Sequence, residues 1–167
     1  MILPILILAL VTIQRLGELV IARRNTQKLM AEGGVEKGAA HYPWMVGLHV
    51  TWLAGLWIFA WDRPVSFAWT GVYLALELLR GWVLLSIGSR WTTRIIVVPG
   101  EAPVRKGPYR LITHPNYLVV ASEIAVLPLV FGLTTYAVVF SVFNAAMLCV
   151  RIRTEEAAWA HSASLTS

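Results

Sequence analysis

The stretch Gly107-Pro-Tyr-Arg-Leu-Ile-Thr-His-Pro-Asn-Tyr117 decides how the chain is read. It closes the longest polar interval, Gly88 to His114, of a chain otherwise built from membrane-length apolar runs. A second polar cluster, Arg151-Ile-Arg-Thr-Glu-Glu156, follows the last of those runs. Charge beside hydrocarbon is costly and tends to mark function. Two dense ionisable groups at one membrane face therefore need a reason.

Outward from this stretch, five apolar runs predict five spans: about Ile2 to Ile21, Pro43 to Trp61, Phe67 to Ile87, Pro115 to Gly132, and Tyr136 to Val150. A crossing of ~30 Å of hydrocarbon needs ~20 residues. Pro43 and Pro115 stand at helix starts, where a missing N–H does no harm, and Pro128 predicts a kink. The last run continues as a helix into Arg151 to His161, and the tail His161 to Ser167 reads as frayed. Asp62-Arg63-Pro64 and Gly132-Leu-Thr-Thr135 are short turns on one side, whereas Arg23 to Tyr42 and Gly88 to His114 read as long polar loops on the other. Eleven of the fourteen Lys and Arg fall in those two loops and the C-terminal segment. That asymmetry puts the loops and the C-terminus in the cytoplasm and the N-terminus outside. Positive charge follows the first apolar run instead of preceding it, the reverse of a cleaved signal peptide, so the run is expected to be retained.

Composition agrees. Charged residues make up 14% of the chain and hydrophobic ones 57%, against about 25% charged in soluble domains. The length suits one membrane domain, residues 1–167. Eight Trp and five Tyr suit the headgroup region. The net charge of +5 is explained by topology, and no nucleic-acid-binding motif is present. The single cysteine, Cys149, excludes an internal disulfide and reads as a small core residue.

Polar residues inside the spans come in pairs. Arg15 and Glu18 are three apart, as are Glu77 and Arg80, so each pair shares a helix face. They read most simply as buried electrostatic clamps between helices. Glu123 adds a carboxylate to the fourth span.

The interval Gly88 to His114 is interrupted by Pro99-Gly100, Pro103 and Gly107-Pro108, which forbid a continuous helix. Long loops of this kind are usually functional, and the exposed peptide groups of this one suit a nucleotide-like ligand. At His114-Pro115-Asn116-Tyr117 the loop becomes a helix whose free N–H groups favour an anion. The His and Tyr offer hydrogen bonds and a ring face able to contact a cation. Arg151 and Glu155, four apart, are either a solvated helical ion pair or the second half of the same site. No ligand spacing for a closed metal site is present.

Taken together, these motifs resemble the isoprenylcysteine carboxyl methyltransferase family and the wider membrane methyltransferases, over roughly Trp91 to Trp159. The resemblance rests on Thr113-His-Pro-Asn-Tyr117, the Gly-Pro-Tyr upstream, and Arg151 with Glu155-Glu156 one helical hairpin downstream. Thr113 stands where the family usually has arginine, and Val119-Val120 where a glycine is common. The resemblance implies an all-α integral-membrane bundle of about five transmembrane helices, with a cytoplasmic cofactor-binding loop and a C-terminal helix. It implies S-adenosylmethionine as cofactor, bound by about residues 90–159: Glu101, Ala102, Pro103, Val104, Tyr109, His114, Pro115, Asn116, Tyr117 and Glu155. Arg151 falls at the substrate-contacting arginine, and His114 and Glu156 join it as catalytic candidates. Glu123 is a further substrate-side candidate. Bacterial relatives with a similar His-Pro-Asn-Tyr segment methylate alkylpyrones and alkylresorcinols. The resemblance thus implies methylation of a carboxylate or of a phenolic or enolic oxygen on a lipidic or prenylcysteine-like acceptor, in a bacterial inner membrane. Phospholipid or amine N-methylation and a non-enzymatic membrane subunit remain open.

Overall fold

A computed structural model describes residues 2–164. Five α-helices account for most of it: α1 Ile2–Ala31, α2 Tyr42–Phe59, α3 Phe67–Ile87, α4 Pro115–Val130 and α5 Thr134–Ser164. Residues 165–167, the end of the tail expected to fray, lie outside the described residues. The helices α1, α3 and α5 are long and apolar enough to cross a membrane, while α4 is a shorter apolar helix. Leu6, Leu10, Ile13, Phe67, Leu78 and Leu85 are exposed on the outside of the bundle, the surface expected of a protein solvated by lipid rather than water. The fold is an all-α membrane bundle.

Helix α1 runs about ten residues past the end expected for the first span. Ala22 to Ala31 contains good helix formers and no glycine, so the helix continues to about 45 Å, well beyond the hydrocarbon. It stops where glycine permits. Gly33, at φ 87°, donates to Met30 O at 3.2 Å, and Gly34 donates to Leu29 O at 2.8 Å. These are the paired bonds of a Schellman cap. A side chain at Gly34 would collide with the Leu29 carbonyl.

The two intervals expected to be loops are joined by a strand pair. Strands β1 Val35–Lys37 and β2 Ile95–Val97 pair antiparallel, with Glu36 opposite Ile96. This ribbon fixes the long interval after α3 to the end of α1. Pro128 falls in the last turn of α4, which ends two residues later, so it terminates the helix instead of kinking its middle. Cys149 is exposed on α5, which corrects its reading as a core residue. The apolar core gathers Leu8, Trp52, Leu56, Ile124 and Leu127 from α1, α2 and α4, and Phe131 just past the end of α4. Helix α4 packs extensively on α3 and α5, whereas α1 and α2 touch sparsely.

The two intrahelical pairs merge into one network. Arg80 reaches both oxygens of Glu18 at 2.6 Å and Glu123 at 2.7 Å. Arg15 binds Glu18 at 3.0 Å and Glu123 at 2.6 Å. Glu77 does not pair with Arg80; it accepts from Gln14 at 2.6 Å. The clamp thus ties α1, α3 and α4 together. Between membrane helices, hydrocarbon supplies no hydrophobic drive to associate, so these bonds carry an unusual share of the contact between α1 and its neighbours.

Candidate active site

The ribbon sets the site's floor. The segment leading into β2 is held from three sides: Asn25 on α1 donates to Trp91 O at 2.8 Å, the Tyr42 hydroxyl on α2 bonds Thr93 Oγ1 at 3.0 Å, and Arg151 on α5 donates to Thr93 O at 3.0 Å. Arg94 adds an ion pair to Glu36 at 2.6 Å and lies 4.3 Å over the Tyr42 ring. Past β2, Glu101 pairs with Arg90, which precedes the strand and also donates to Ala102 O at 2.7 Å. The chain then turns through Gly107–Arg110. Gly107 has φ 52° and sits so close to Ser86 of α3 that a Cβ would collide. Glycine here lets the Pro108-Tyr109 turn dock on the end of α3, with Pro108 buried.

His114 caps α4 without a side-chain cap bond, which leaves its ring for the site. The ring stacks on Tyr117, with centroids 5.4 Å apart. Its Nδ1 is 3.9 Å from Glu155 and its Nε2 is 3.4 Å from Glu156. The Tyr117 hydroxyl donates to Glu155 at 2.5 Å, and the Arg151 guanidinium lies 5.7 Å from the Tyr117 ring centroid. Arg151 and Glu155 share a face of α5 but take different partners, Thr93 and Tyr117, so the solvated ion pair between them is not formed. Burial, and then the Glu155 charge, push the Tyr109 phenol up to about 12, so it stays protonated and able to donate at neutral pH.

Two cavities meet at these residues. The first, about 150 Å³, is lined by Glu101, Pro103, Val104, Tyr109, His114 and Glu155 among others. The second, about 250 Å³, is walled mainly by apolar side chains of α1, α2, α4 and α5 and reaches the ion network at Arg15, Glu18, Arg80 and Glu123. Trp91, Thr92, Asn116, Tyr117 and Arg151 line both. Most residues expected in a cofactor site therefore line one cavity. Pro115 is buried at the start of α4, Ala102 is engaged through its carbonyl by Arg90, and Glu156 is exposed; none of the three lines either cavity. Glu123 lies in the second cavity, held by two arginines.

Sequence reasoning missed Trp91 and Thr92 at the junction, Trp159 in the first cavity, and Tyr42, His49 and Asn144 in the second. Trp159 was within reach, since it follows Glu155 by four residues on the same helix face. The others lie on elements brought together only by the tertiary fold. Asn116 Oδ1 and Trp91 Nε1 are buried without a hydrogen-bond partner, which buried polar groups seldom are. Both belong to residues at the junction.

The family model for isoprenylcysteine carboxyl methyltransferase (ICMT) matches residues 69–161, the segment containing this assembly except for the parts contributed by α1, β1 and α2. The chain belongs to the ICMT family. It is also 39% identical over 158 residues to the uncharacterized protein YpbQ of Bacillus subtilis (strain 168), covering 92% of this chain and 94% of that protein. No solved structure gives a significant match. The ICMT match runs from α3 through α5 and takes in both the His114–Tyr117 segment and the Arg151–Glu156 segment. The family is one of membrane methyltransferases, and the apolar helices of this chain agree with that setting.

Proposed function

We propose that this ICMT-family protein transfers a methyl group from S-adenosylmethionine to a carboxylate or to a phenolic or enolic oxygen of a lipophilic acceptor. The observation that carries the reading is the junction of a polar cavity with an apolar one at Asn116, Tyr117 and Arg151. The residues of the first cavity fit the cofactor. Glu155 offers a carboxylate to a cationic group, His114 and Tyr117 offer ring faces, and the unpaired atoms of Asn116 and Trp91 offer hydrogen bonds to a polar ligand. Glu101, Pro103, Val104 and Tyr109 line the same cavity, while Ala102 and Pro115 lie next to lining residues in the chain. Bound there, the cofactor supplies an electrophilic methyl on a sulfonium.

The chain's own residues do the rest. Arg151 spends one N–H on Thr93 O and has others with which to hold an acceptor oxyanion. The apolar walls exclude water from the reacting atoms, and fixing donor and acceptor at the junction supplies proximity. Leu16, Leu19, Val46 and Val50 line the apolar cavity and are also exposed on the outside of α1 and α2. That supports lateral entry of a lipidic acceptor between these two sparsely packed helices. The charged cofactor enters from the basic loops, in a topology with the N-terminus outside and the C-terminus in the cytoplasm of a bacterial inner membrane. His114, Glu123 and Glu156 are positioning or catalytic candidates on this reading.

Calorimetric titration of the detergent-purified protein with S-adenosylhomocysteine tests the cofactor assignment. Incubation with methyl-labelled cofactor and alkylresorcinols, alkylpyrones, prenylcysteines and phosphatidylethanolamine tests the acceptor. Label confined to phosphatidylethanolamine would refute transfer to oxygen.

A further inference from the structure

His49 stands in the wall of the apolar cavity, and no step so far uses it. Along α2 the cavity is lined by Tyr42, Met45, His49 and Trp52, a spacing of three and four that puts them on one helix face. The ring is fixed in a particular way. Its Nδ1 lies 2.8 Å from the carbonyl oxygen of Met45, one turn back. A carbonyl oxygen can only accept, so Nδ1 carries a hydrogen. In the neutral ring Nε2 then holds a lone pair. Nε2 makes no hydrogen bond among the described residues. The helix itself has therefore selected the tautomer whose free nitrogen is basic.

Among the other ionisable groups of this cavity, both carboxylates have guanidinium partners and both tyrosine hydroxyls are bonded. The buried atoms left without partners are the Nε1 groups of Trp52 and Trp91, which only donate, and the amide oxygens of Asn116 and Asn144, which are scarcely basic. Glu123 Oε1 is the other, and its sister oxygen is held by two arginines. Glu18 and Glu123 are bound by Arg15 and Arg80. The Tyr42 hydroxyl bonds Thr93, and the Tyr117 hydroxyl donates to Glu155. Arg151, which lines the same cavity, is a cation and cannot accept a proton. The charged groups surrounding His49 in the cavity are thus Arg15 and Glu18 from α1, Arg80 from α3, Glu123 from α4 and Arg151 from α5. None of the two carboxylates is without a guanidinium partner.

We propose that His49 is the catalytic base for a hydroxyl-bearing acceptor, an inference that rests on the methyltransferase reading above. A phenol has an ordinary pKa of about 10 and is un-ionised near neutral pH, so its oxygen needs a positioned base to take the proton as it attacks. The acceptor's O–H bond breaks toward Nε2 as its oxygen bonds to the methyl carbon. The methyl–sulfur bond breaks, its electron pair remaining on sulfur, and the proton held on His49 is later released to water. Arg151 holds the developing oxyanion while His49 removes the proton. The division of labour also implies a substrate class: an acceptor with a weakly acidic hydroxyl needs His49, while a carboxylate does not.

The test uses His49→Asn, whose amide can still donate to Met45 O but lacks a basic atom at the Nε2 position, and His49→Gln as a second variant should Asn fold poorly. Against ring-fluorinated alkylresorcinols of rising acidity, the loss in kcat/KM should be at least tenfold for the parent phenol and shrink as the acceptor becomes ionised. General-base removal typically loses ~10²–10⁴-fold. A second readout needs no turnover. A long-chain nitrophenol, added to purified protein below the probe's solution pKa, should show the nitrophenolate absorbance band with wild type and at least tenfold less with His49→Asn at equal occupancy. A loss independent of acceptor acidity, or equal nitrophenolate in both proteins, overturns the proposal. So does an acidity-dependent loss in Glu123→Gln that His49→Asn fails to show. Failure of the wild type to bind S-adenosylhomocysteine would instead remove the methyltransferase reading itself, and His49's role with it.

Discussion

Replacing Glu155 by glutamine probes the proposed cofactor cavity most directly. The side chain is 27% exposed and one oxygen takes the Tyr117 hydroxyl at 2.5 Å. Glutamine keeps the size and an acceptor oxygen for Tyr117, so the helix packing should survive; what disappears is the negative charge. A hydrogen bond to a charged group contributes ~1.5–3 kcal/mol. Partial exposure screens the charge and argues for the lower end, about 1.5 kcal/mol, or roughly tenfold in affinity. The measurement is the Kd of S-adenosylhomocysteine by calorimetry, with far-ultraviolet circular dichroism and thermal unfolding confirming an intact fold. Tyr117→Phe gives the companion result. It frees the carboxylate from its internal donor without removing charge, so its loss should be smaller than that of Glu155→Gln. Affinity within twofold of wild type in a folded Glu155→Gln protein would refute a role for this carboxylate in holding the cofactor.

Other outcomes follow from the same geometry. Arg151→Ala should slow methylation while cofactor affinity stays within about threefold, under ~1 kcal/mol, and Arg151→Lys should recover only part of the rate because an ammonium lacks the planar fork; parallel kinetics and calorimetry check both. Arg80→Met removes three of the guanidinium bonds to Glu18 and Glu123 and should destabilise the bundle by ~3–5 kcal/mol, read as a lower unfolding temperature in detergent. Burial, and then the Arg151 charge, hold the His41 imidazole below its ordinary range. Unfolded protein therefore binds this proton more readily, so the stability contributed is present above about pH 6.5 and lost as pH falls through the lowered folded value; His41→Gln should flatten that part of the stability–pH curve. Single cysteines at positions 30 and 165, in a Cys149→Ala background, should be protected from an impermeant reagent outside intact cells, and labelling of either would overturn the topology.

What was legible in the sequence was what local spacing encodes. Phe67–Ile87 is a helix with the bounds its apolar run predicts, and Arg151 and Glu155 share a face as their four-residue spacing requires. The resemblance carried by His114-Pro-Asn-Tyr117 and Arg151 to Glu156 pointed to part of the first cavity's lining, though not to Trp91, Thr92 or Trp159. What was hidden depends on partners far along the chain. Ile95-Ile-Val97 is too short to read as a strand until Val35–Lys37 is laid beside it. Glu77 and Arg80 have the spacing of an intrahelical pair, yet Arg80 finds three bonds on α1 and α4 and leaves Glu77 to Gln14. His49 carries no local signal at all. An apolar helix with one histidine looks the same whether that ring fills a gap or faces a cavity.

The hidden contacts explain why the ion network lies where it does. Helix α1 supplies one wall of the apolar cavity through Thr12, Leu16 and Leu19, yet it packs sparsely on α2. In lipid, apolar faces alone would not hold it at a fixed distance. Arg15 and Glu18 do so, by bonding Glu123 and Arg80 across the bundle. Glu123 lies on α4, less than two turns from Tyr117 at the junction. The network therefore fixes α1 against the same helix that carries the junction tyrosine, while the sparsely packed α1–α2 seam is bridged, among the described residues, by one side-chain hydrogen bond, Trp57 Nε1 to Thr12 Oγ1 at 3.0 Å. On the proposed reading, a rigid seam would exclude a long-chain acceptor, and an untethered α1 would leave the cavity without a wall. Placing the ionic bonds on one side of α1, and on the other apolar contacts with the single Trp57–Thr12 hydrogen bond found among the described residues, meets both requirements.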